Sequence, residues 1–294
     1  MKDARGYLLI ITASIIWGTL GIFGKLAFEY GIYPPTLIAL RLLISSLTIL
    51  IPMTLFKKEF FRIQKGDLPQ FLVFGIFATA LQRIAYFYVV DLTTVTMAAI
   101  LFYTYPIFVT IYSSLFLKEE VTFATAFAII LTFSGVALVL KAYEISRLNA
   151  SISGVIFGVL SSVLFALYFL VAKKLRNHYT NWTIILYGDG IGTVALTPII
   201  CSSFYDIIYY PLQLWLLILA IAWFPSLLAY LLYSYALKHV EPSKGSVLSV
   251  TEPLSAAIFS ATILRESLEP LQIIGVTLAL TGVLLLFYKP KLKN

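Results

Sequence analysis

The sequence is poor in the residues that build most enzyme active sites. Its 294 residues include one cysteine, Cys201, and two histidines, His178 and His239. A single cysteine excludes an internal disulfide and any multi-cysteine metal site. The motifs of zinc proteases, P-loop enzymes, serine hydrolases and dinucleotide-binding enzymes are also missing. We therefore expect no catalytic residue, metal or cofactor.

Charged residues are scarce and hydrophobic residues abundant. Charged residues make up 12% of the chain and hydrophobic residues 60%, whereas about a quarter of an average soluble domain is charged. This composition predicts a protein embedded in a lipid bilayer. The net charge of +7 does not indicate nucleic acid, because basic residues in membrane proteins determine topology.

Ten hydrophobic runs are each close to the roughly 20 residues that a helix needs to cross a bilayer. We number them as segments 1 to 10: 6–27, 35–56, 68–90, 94–117, 122–141, 152–172, 182–203, 212–236, 242–264 and 270–288. The longest connections are 57–67 and 142–151. We expect the second to link a repeat over 1–141 to a repeat over 152–294.

The second half of the chain repeats landmarks of the first. At an offset of 147 residues, the equivalent pairs are Tyr86 and Tyr233, Tyr88 and Tyr235, Pro106 and Pro253, Glu119 and Glu266, and Gly135 and Gly282. Upstream the offset is 148, which pairs Gly6 with Gly154 and Lys25 with Lys173. Five helices are an odd number, so the two repeats have opposite topology, as in many carriers. The predicted fold is all-α and membrane-integral, with ten helices in two inverted five-helix repeats.

Lysine and arginine are distributed asymmetrically between the two predicted sides. With the N-terminus inside, 15 of the 21 basic residues lie on the cytoplasmic side and four outside, while Arg41 and Arg83 lie within segments. Basic residues concentrate in cytoplasmic loops. We therefore expect a multi-pass protein of the cytoplasmic membrane with both termini in the cytoplasm.

Four charged residues lie inside the predicted segments and away from their ends: Arg41, Arg83, Asp189 and Glu252. A charge at the centre of a membrane helix costs at least ~2.5–3.5 kcal/mol and normally faces a partner or a wet cavity. Arg41 and Asp189 occupy equivalent positions in the two repeats, and we expect both to be structural. These four residues are the strongest indication of a functional site.

Glu252 is the leading candidate for the substrate site. It precedes Pro253 near the middle of segment 9, and proline should free the backbone carbonyl one turn earlier, near Ser249. Glu252 could hold a substrate ammonium group or a proton. Alternatively, it could be structural, paired with Arg83 or held by hydroxyl groups of Ser246, Ser249 and Thr251.

Arg83 is the candidate for an anionic group, since its planar guanidinium suits a carboxylate or a phosphate. The alternative for Arg83 is a side chain that extends to the membrane surface. Polar and aromatic side chains of segments 1, 3, 4 and 8 are expected to line a central cavity or simply to pack. They are Trp17, Gln82, Tyr86, Tyr103, Tyr105, Trp223, Tyr230 and Tyr233.

Two further acidic residues occupy equivalent helix ends. Glu119 follows Lys118 at the end of segment 4, and Glu266 follows Arg265 at the end of segment 9. A cation at this position suits the negative end of the helix dipole. We expect both pairs to be structural and to position the next helix.

The chain resembles the drug/metabolite transporter superfamily, with two EamA-type repeats. The resemblance covers about 6–288. The similar features are Trp17-Gly18, Arg41, Tyr105-Pro106, Lys118-Glu119, Glu252-Pro253, Arg265-Glu266, and the helices of Gly135 and Gly282. In the second repeat, Phe165-Ala166 stands in place of Trp-Gly, and Asp189 in place of arginine. The resemblance implies ten helices, a central cavity, and export or exchange of small metabolites, which in members are amino acids, aromatic compounds, sugar phosphates or nucleotide sugars.

The sequence therefore favours a secondary transporter, with small organic molecules and the lipid bilayer as partners. Amino acids or similar amphipathic compounds, moved outward by alternating access, are the expected substrates. The alternatives are an integral-membrane enzyme, a channel, or an exchanger of sugar phosphates or nucleotide sugars. A membrane enzyme is disfavoured because no histidine lies in a segment. Coupling to a proton or to a counter-substrate stays open.

Overall fold

The structure is a computed structural model, and it describes residues 2–56, 61–93, 95–148, 151–263 and 269–286. Within these ranges the chain is helical and contains no strand. Seven helical segments there are long and apolar enough to cross a membrane, and Phe123–Val139 and Pro270–Leu285 are shorter apolar helices. The predicted all-α membrane fold is confirmed. The division of the chain at residues 141 and 152 stays a prediction.

Segments 1 to 5 contain eight α-helices within the described residues. They are α1 (Lys2–Gly18), α2 (Leu20–Phe28), α3 (Pro34–Phe56), α4 (Leu68–Leu72), α5 (Gln82–Leu92), α6 (Val95–Phe102), α7 (Tyr105–Leu117) and α8 (Phe123–Val139). Segment 1 joins α1 and α2, segment 2 is α3, and segment 5 is α8. Segment 3 joins α4 and α5 through a π-helical stretch, Val73–Leu81. Segment 4 is divided between α6 and α7.

Segments 6 to 10 contain another eight α-helices within the described residues. They are α9 (Ile152–Leu175), α10 (Asn181–Ser202), α11 (Phe204–Ile208), α12 (Leu212–Ile221), α13 (Ala229–Ala236), α14 (Pro242–Leu248), α15 (Thr251–Ile263) and α16 (Pro270–Leu285). Segments 6, 7 and 10 are α9, α10 and α16. Segment 8 joins α12 and α13 through the π-helical stretch Ala222–Leu228. Segment 9 is divided between α14 and α15.

The two repeats share their irregular backbone. The π-helical stretches of segments 3 and 8 overlap when the chain is shifted by 147 residues, and the breaks in segments 4 and 9 fall at residues 103–104 and 249–250. Both breaks precede a proline, Pro106 or Pro253, by a few residues. We had expected continuous helices there, because the hydrophobic runs are unbroken. Broken membrane helices and π-helical turns are both common at functional sites.

Residues from both repeats close the bundle at the face where segment 1 begins, here called the N-terminal face. The Ser243 backbone N–H and hydroxyl both donate to Glu119, at 3.4 and 2.8 Å. The Lys173 ammonium donates to the carbonyls of Leu237 and Val240, at 2.6 and 3.2 Å. These bonds tie the end of segment 4 to the start of segment 9, and segment 6 to the connection between segments 8 and 9.

The broken segments converge at this face and separate toward the other. The halves α7 and α14 pack against each other. Within the described residues, α6 packs instead on α5 and α9, and α15 on α1, α8 and α16. The bundle is therefore closed at the N-terminal face, and its broken segments diverge toward the opposite face.

Candidate substrate site at the helix breaks

The breaks in segments 4 and 9 meet in the middle of the molecule. Tyr105 is the first residue of α7 and is fully buried. Its hydroxyl donates to the backbone carbonyl of Ser246, near the end of α14, at 3.3 Å. Because the helix is broken after Leu248, the backbone N–H of Val250 bonds to the Val247 carbonyl. The Ser246 carbonyl can therefore accept from Tyr105.

Glu252 lies in the first turn of α15, beside the same break. Its carboxylate accepts a hydrogen bond from the Tyr103 hydroxyl and interacts electrostatically with Tyr86 and Tyr105. Its side chain is partly accessible, whereas the Tyr105 side chain is fully buried. The positive end of the helix dipole favours a carboxylate at this position. Glu252 is thus a partly accessible carboxyl group beside loosened backbone.

The structural alternatives considered for Glu252 are not found in the structure. The hydroxyls of Ser246, Ser249 and Thr251 donate to backbone carbonyls of segment 9. The Ser249 carbonyl, which we expected to be free, accepts the backbone N–H of Glu252 at 3.0 Å. Among the described residues, no cation lies within ion-pair distance of Glu252. Pairing of Glu252 with Arg83 was therefore the wrong alternative.

Arg83 lies just after the π-helical stretch of segment 3. It is 6% exposed, so its side chain does not extend to the membrane surface. Its guanidinium lies 5.2 Å from the centre of the Tyr230 ring, a favourable cation–π distance. Nη1 donates to the Thr79 carbonyl at 2.5 Å, while Nε has no hydrogen-bond partner among the described residues. A buried guanidinium with an unused donor is suited to an anionic ligand.

Arg41 and Asp189, which were expected to be structural, belong to the same group of charged residues as Arg83. Asp189 accepts a hydrogen bond from Ser45, at 2.5 Å, and interacts electrostatically with Arg83 and Arg41. Arg41 also has a buried Nε without a partner among the described residues. Asp189 is therefore the carboxylate that balances the arginines, and Glu252 stands apart from them.

Interacting residues at this site are often equivalents in the two repeats. Arg83 and Tyr230 differ by 147 residues, as do Tyr105 and Glu252, and Arg41 and Asp189 differ by 148. Arg83 stacks on Tyr230, and the other two pairs interact electrostatically. Contacts between equivalents indicate that the pseudo-twofold axis of the repeats passes through the site. The backbone is symmetric there, but the charges are not.

Aromatic rings surround the charged residues. Trp17 contacts Tyr230 and Tyr233, with ring centres 4.9 and 5.3 Å apart. Phe165, the equivalent of Trp17, makes an edge contact with Tyr105 at 4.9 Å. Sequence reasoning did not select Phe165, Tyr168 or Phe169 as site residues, although their spacing on one face of segment 6 was visible. Ser45 carried no signal in the sequence.

Several predicted residues lie elsewhere or outside the described chain. Gln82 donates to Ser161 in segment 6 at 3.2 Å and is buried, so it joins two helices. Trp223 is 46% exposed, and its indole donates to Thr48 at 3.0 Å. Glu119 lies at the N-terminal face. Glu266 lies outside the described residues.

A cavity between α7 and α8 is a different feature from this site. A depression of about 300 Å³ lies between α7 and α8 and is lined mainly by isoleucines. It has no charged residue and does not adjoin Arg83 or Glu252. The water-accessible central cavity expected from the sequence therefore stays a prediction.

Comparison with known proteins identifies the family. The model of the EamA-like transporter family matches residues 4–141 and 152–288. This chain belongs to the EamA-like transporter family. It is therefore a multi-pass membrane protein of a transporter family, as the resemblance implied.

The similar proteins are transporters from bacteria and archaea. An uncharacterized transporter of Archaeoglobus fulgidus is 31% identical over 68% of this chain and 70% of its own. Uncharacterized transporter YetK of Bacillus subtilis is 27% identical over 99% and 89%. Pseudopaline exporter CntI of Pseudomonas aeruginosa is 27% identical over 64% of this chain and 63% of its own. A crystal structure with 17% identity and a TM-score of 0.78, covering 96% of both chains, has the same fold.

Proposed function

We propose that this protein is a secondary transporter that exports small amphipathic metabolites, such as amino acids, across the cytoplasmic membrane by alternating access. The observation that carries the proposal is the separation of charge at the centre of the repeats. Arg83, with an unused donor, and Glu252, without a basic partner among the described residues, lie on different helices of one site. A transport site between inverted repeats is normally near the membrane midplane.

The chemistry of the site fits a zwitterion with an apolar part. The guanidinium of Arg83 would bind a carboxylate through two N–H groups, and Glu252 would accept from an ammonium group. The rings of Tyr86, Tyr230 and Trp17 would contact the apolar part, since ligand sites are mostly apolar with a few placed polar groups. A membrane enzyme is disfavoured because no histidine lies in a predicted segment.

Alternating access is supported by the two-repeat architecture. Equivalent breaks and π-helical stretches give each repeat the same bending points, so that exchange of the two repeat conformations would open the other face. The distribution of basic residues supports a cytoplasmic N-terminal face. The bundle would then be open outward in this structure, which is the releasing state of an exporter.

A sugar phosphate or nucleotide sugar is the second candidate substrate. It is favoured by Arg41 and Arg83, which lie close enough to interact. Asp189 weakens this candidate because its carboxylate already interacts with both arginines. Two arginines and one ionised aspartate would leave a single net positive charge, which matches a singly charged carboxylate better than a doubly charged phosphate.

Ligand-induced stabilisation of the purified protein in detergent tests the proposal. We expect amphipathic amino acids to raise the melting temperature, because ligands that bind only the folded state stabilise it. The matching amino-acid amides, N-acetyl amino acids and sugar phosphates should have little effect. Selective stabilisation by sugar phosphates would replace the proposed substrate, and counterflow of a labelled amino acid in proteoliposomes would establish transport.

A further inference from the structure

Tyr105 and Glu252 are equivalent residues in different environments. Each lies immediately before a proline, at the start of the second half of a broken segment. Tyr105 is fully buried, and its hydroxyl donates to the Ser246 carbonyl at 3.3 Å. Glu252 is partly accessible and accepts from Tyr103. In this conformation, the same position of the repeat is therefore buried in the first repeat and partly accessible in the second.

Inverted repeats exchange conformations when a carrier opens to its other face. In that second state Glu252 would take the buried position that Tyr105 has now. The equivalent of Ser246 is Ala99 in α6, whose carbonyl now accepts the backbone N–H of Tyr103 at 2.8 Å. If segment 4 adopted the backbone of segment 9, the Tyr103 N–H would bond to the next carbonyl along the chain instead of to that of Ala99. The Ala99 carbonyl would then face Glu252, as the Ser246 carbonyl faces Tyr105.

A carbonyl oxygen only accepts hydrogen bonds. The phenol of Tyr105 always carries the proton that this contact needs, whereas an ionised carboxylate carries none. An ionised Glu252 would place two acceptors against each other in a buried position, and burying an unpaired charge is highly unfavourable. A protonated Glu252 would donate to the Ala99 carbonyl and be neutral.

We propose that Glu252 is a proton-binding site, and that binding of a proton there favours the state open at the N-terminal face. The proton comes from the side to which Glu252 is accessible in the present state. The proposal rests on the proposed alternating access and adds the proton as the coupling ion. The support for the proton site is the equivalence of the contacts at Tyr105 and Glu252, which does not depend on the substrate.

Within the described part of the chain, no basic side chain of the protein is placed to neutralise Glu252. The facing ionisable groups are the hydroxyls of Tyr86, Tyr103 and Tyr105. The packed helices α8 and α16 contain no ionisable residue. In α1 the ionisable residues lie in the first two turns, toward the N-terminal face. Arg41 and Arg83 interact with Asp189 instead, so Glu252 has no basic neighbour among the residues that the structure describes.

Distances between spin labels across the N-terminal face test the proposal. Labels would replace Glu120 and Glu241, both exposed, in a Cys201→Ser background, with the full chain in lipid nanodiscs and no substrate. As the pH falls from about 9 to about 5, we expect the long-distance population to grow. Its ratio to the short-distance population should change by up to about tenfold per pH unit, as one bound proton requires.

Two substitutions at Glu252 and one at Tyr105 make the test specific. Glu252→Gln and Glu252→Tyr both supply a neutral donor, so the population ratio should no longer depend on pH. Tyr105→Phe removes the donor of the present state, so it should favour the long distance at every pH while the pH response remains. Unfolding temperature and gel filtration identify any variant that does not fold, and two Glu252 variants keep the test decisive.

The outcomes separate this inference from the proposed function. A wild-type ratio that ignores pH, or a Glu252→Gln variant that keeps the wild-type pH response, overturns the proton site even if amino-acid transport is observed. A pH-dependent ratio that Glu252→Gln abolishes supports the proton site. If the same protein then transports none of the tested ligands, the proposed substrate fails and the proton site stands.

Discussion

The two repeats have the same backbone irregularities but place different side chains at them. Segment 4 has Tyr105 at the start of its second half, and segment 9 has Glu252. Segment 3 has Arg83 after its π-helical stretch, and segment 8 has Tyr230. The shared backbone gives a pair of related bends, which the proposed alternating access would exchange. The different side chains give one axial site with separate positive and negative ends, which fully identical repeats could not form.

The repeats also differ in segments 1 and 6. Segment 1 is interrupted at Thr19, whose hydroxyl donates to the Ile16 carbonyl at 2.6 Å, whereas its counterpart α9 is one helix of 24 residues. Gly18 lies against Glu252 and Ser255, because a β-carbon there would come within 3.0 Å of the Glu252 carbonyl. The first repeat thus brings an interrupted helix against the break of the second, beside Glu252. Segment 6 instead contributes a straight face of aromatic residues.

The largest expected effect is a loss of stability when the packing of segments 5 and 10, which are equivalent helices of the two repeats, is disturbed. A β-carbon at Gly135 would lie 2.5 Å from the Ala279 backbone nitrogen, and one at Gly282 would lie 2.9 Å from the Ala128 carbonyl. Overpacking of this kind typically costs about 1–3 kcal/mol or more. We expect Gly135→Ala to lower the unfolding temperature more than Gly282→Ala does.

Gly21→Ala is the matched control, because nothing lies within 4 Å of its β-carbon position and it is also helical. Alanine there should be neutral or slightly stabilising. Equal unfolding temperatures for Gly135→Ala and Gly21→Ala would contradict the close packing of segments 5 and 10.

An intermediate effect should distinguish Arg83 from its equivalent, Tyr230. Arg83→Lys keeps the charge but loses the planar guanidinium, so we expect about tenfold weaker ligand binding or more. Tyr230→Phe keeps the ring below the guanidinium and should change binding by less. Binding measured by calorimetry for both variants would sharpen the comparison. An unaffected Arg83→Lys variant would indicate that Arg83 acts only through its charge.

The smallest effect should come from Glu119, at the N-terminal face. Burial raises the pKa of Glu119, although the hydrogen bonds from Ser243 oppose the shift. The folded protein therefore binds a proton here more readily than the unfolded chain, and this stabilisation is lost as the pH rises through the shifted pKa. Glu119→Gln should remove this part of the pH dependence, and Ser243→Ala should enlarge it. Melting curves over acidic and neutral pH would detect both changes.

Much of the fold could be predicted from the sequence because membrane helices must satisfy their own backbone. Long apolar runs gave the segments, and the landmarks around Pro106 and Pro253 gave the inverted repeat. The breaks could not be predicted, because Tyr103-Thr104 and Ser249-Val250 contain neither glycine nor proline and lie inside unbroken apolar runs. We expected Pro253 to leave the Ser249 carbonyl without a hydrogen bond, but a tighter turn there lets this carbonyl accept the backbone N–H of Glu252.

The site was only partly predictable, since partners across the axis depend on how the repeats pack. The four intramembrane charges were visible in the sequence, but their grouping was not. Asp189 was expected to be structural, and its electrostatic interaction with Arg83 could not be predicted from the sequence. Nothing in the sequence distinguished Tyr103 from the other aromatic residues, because its contact with Glu252 depends on the break in segment 4.

Binding of paired ligands to paired variants tests the central claim most directly, that Arg83 and Glu252 bind opposite ends of one substrate. Calorimetry would compare an amphipathic amino acid, its amide and its N-acetyl derivative on wild type, Arg83→Gln and Glu252→Gln. The account predicts that Arg83→Gln weakens binding of the amino acid but not of the amide, which has no carboxylate. Correspondingly, Glu252→Gln should weaken binding of the amino acid but not of the N-acetyl derivative. Equal losses for all three ligands in either variant would contradict the account.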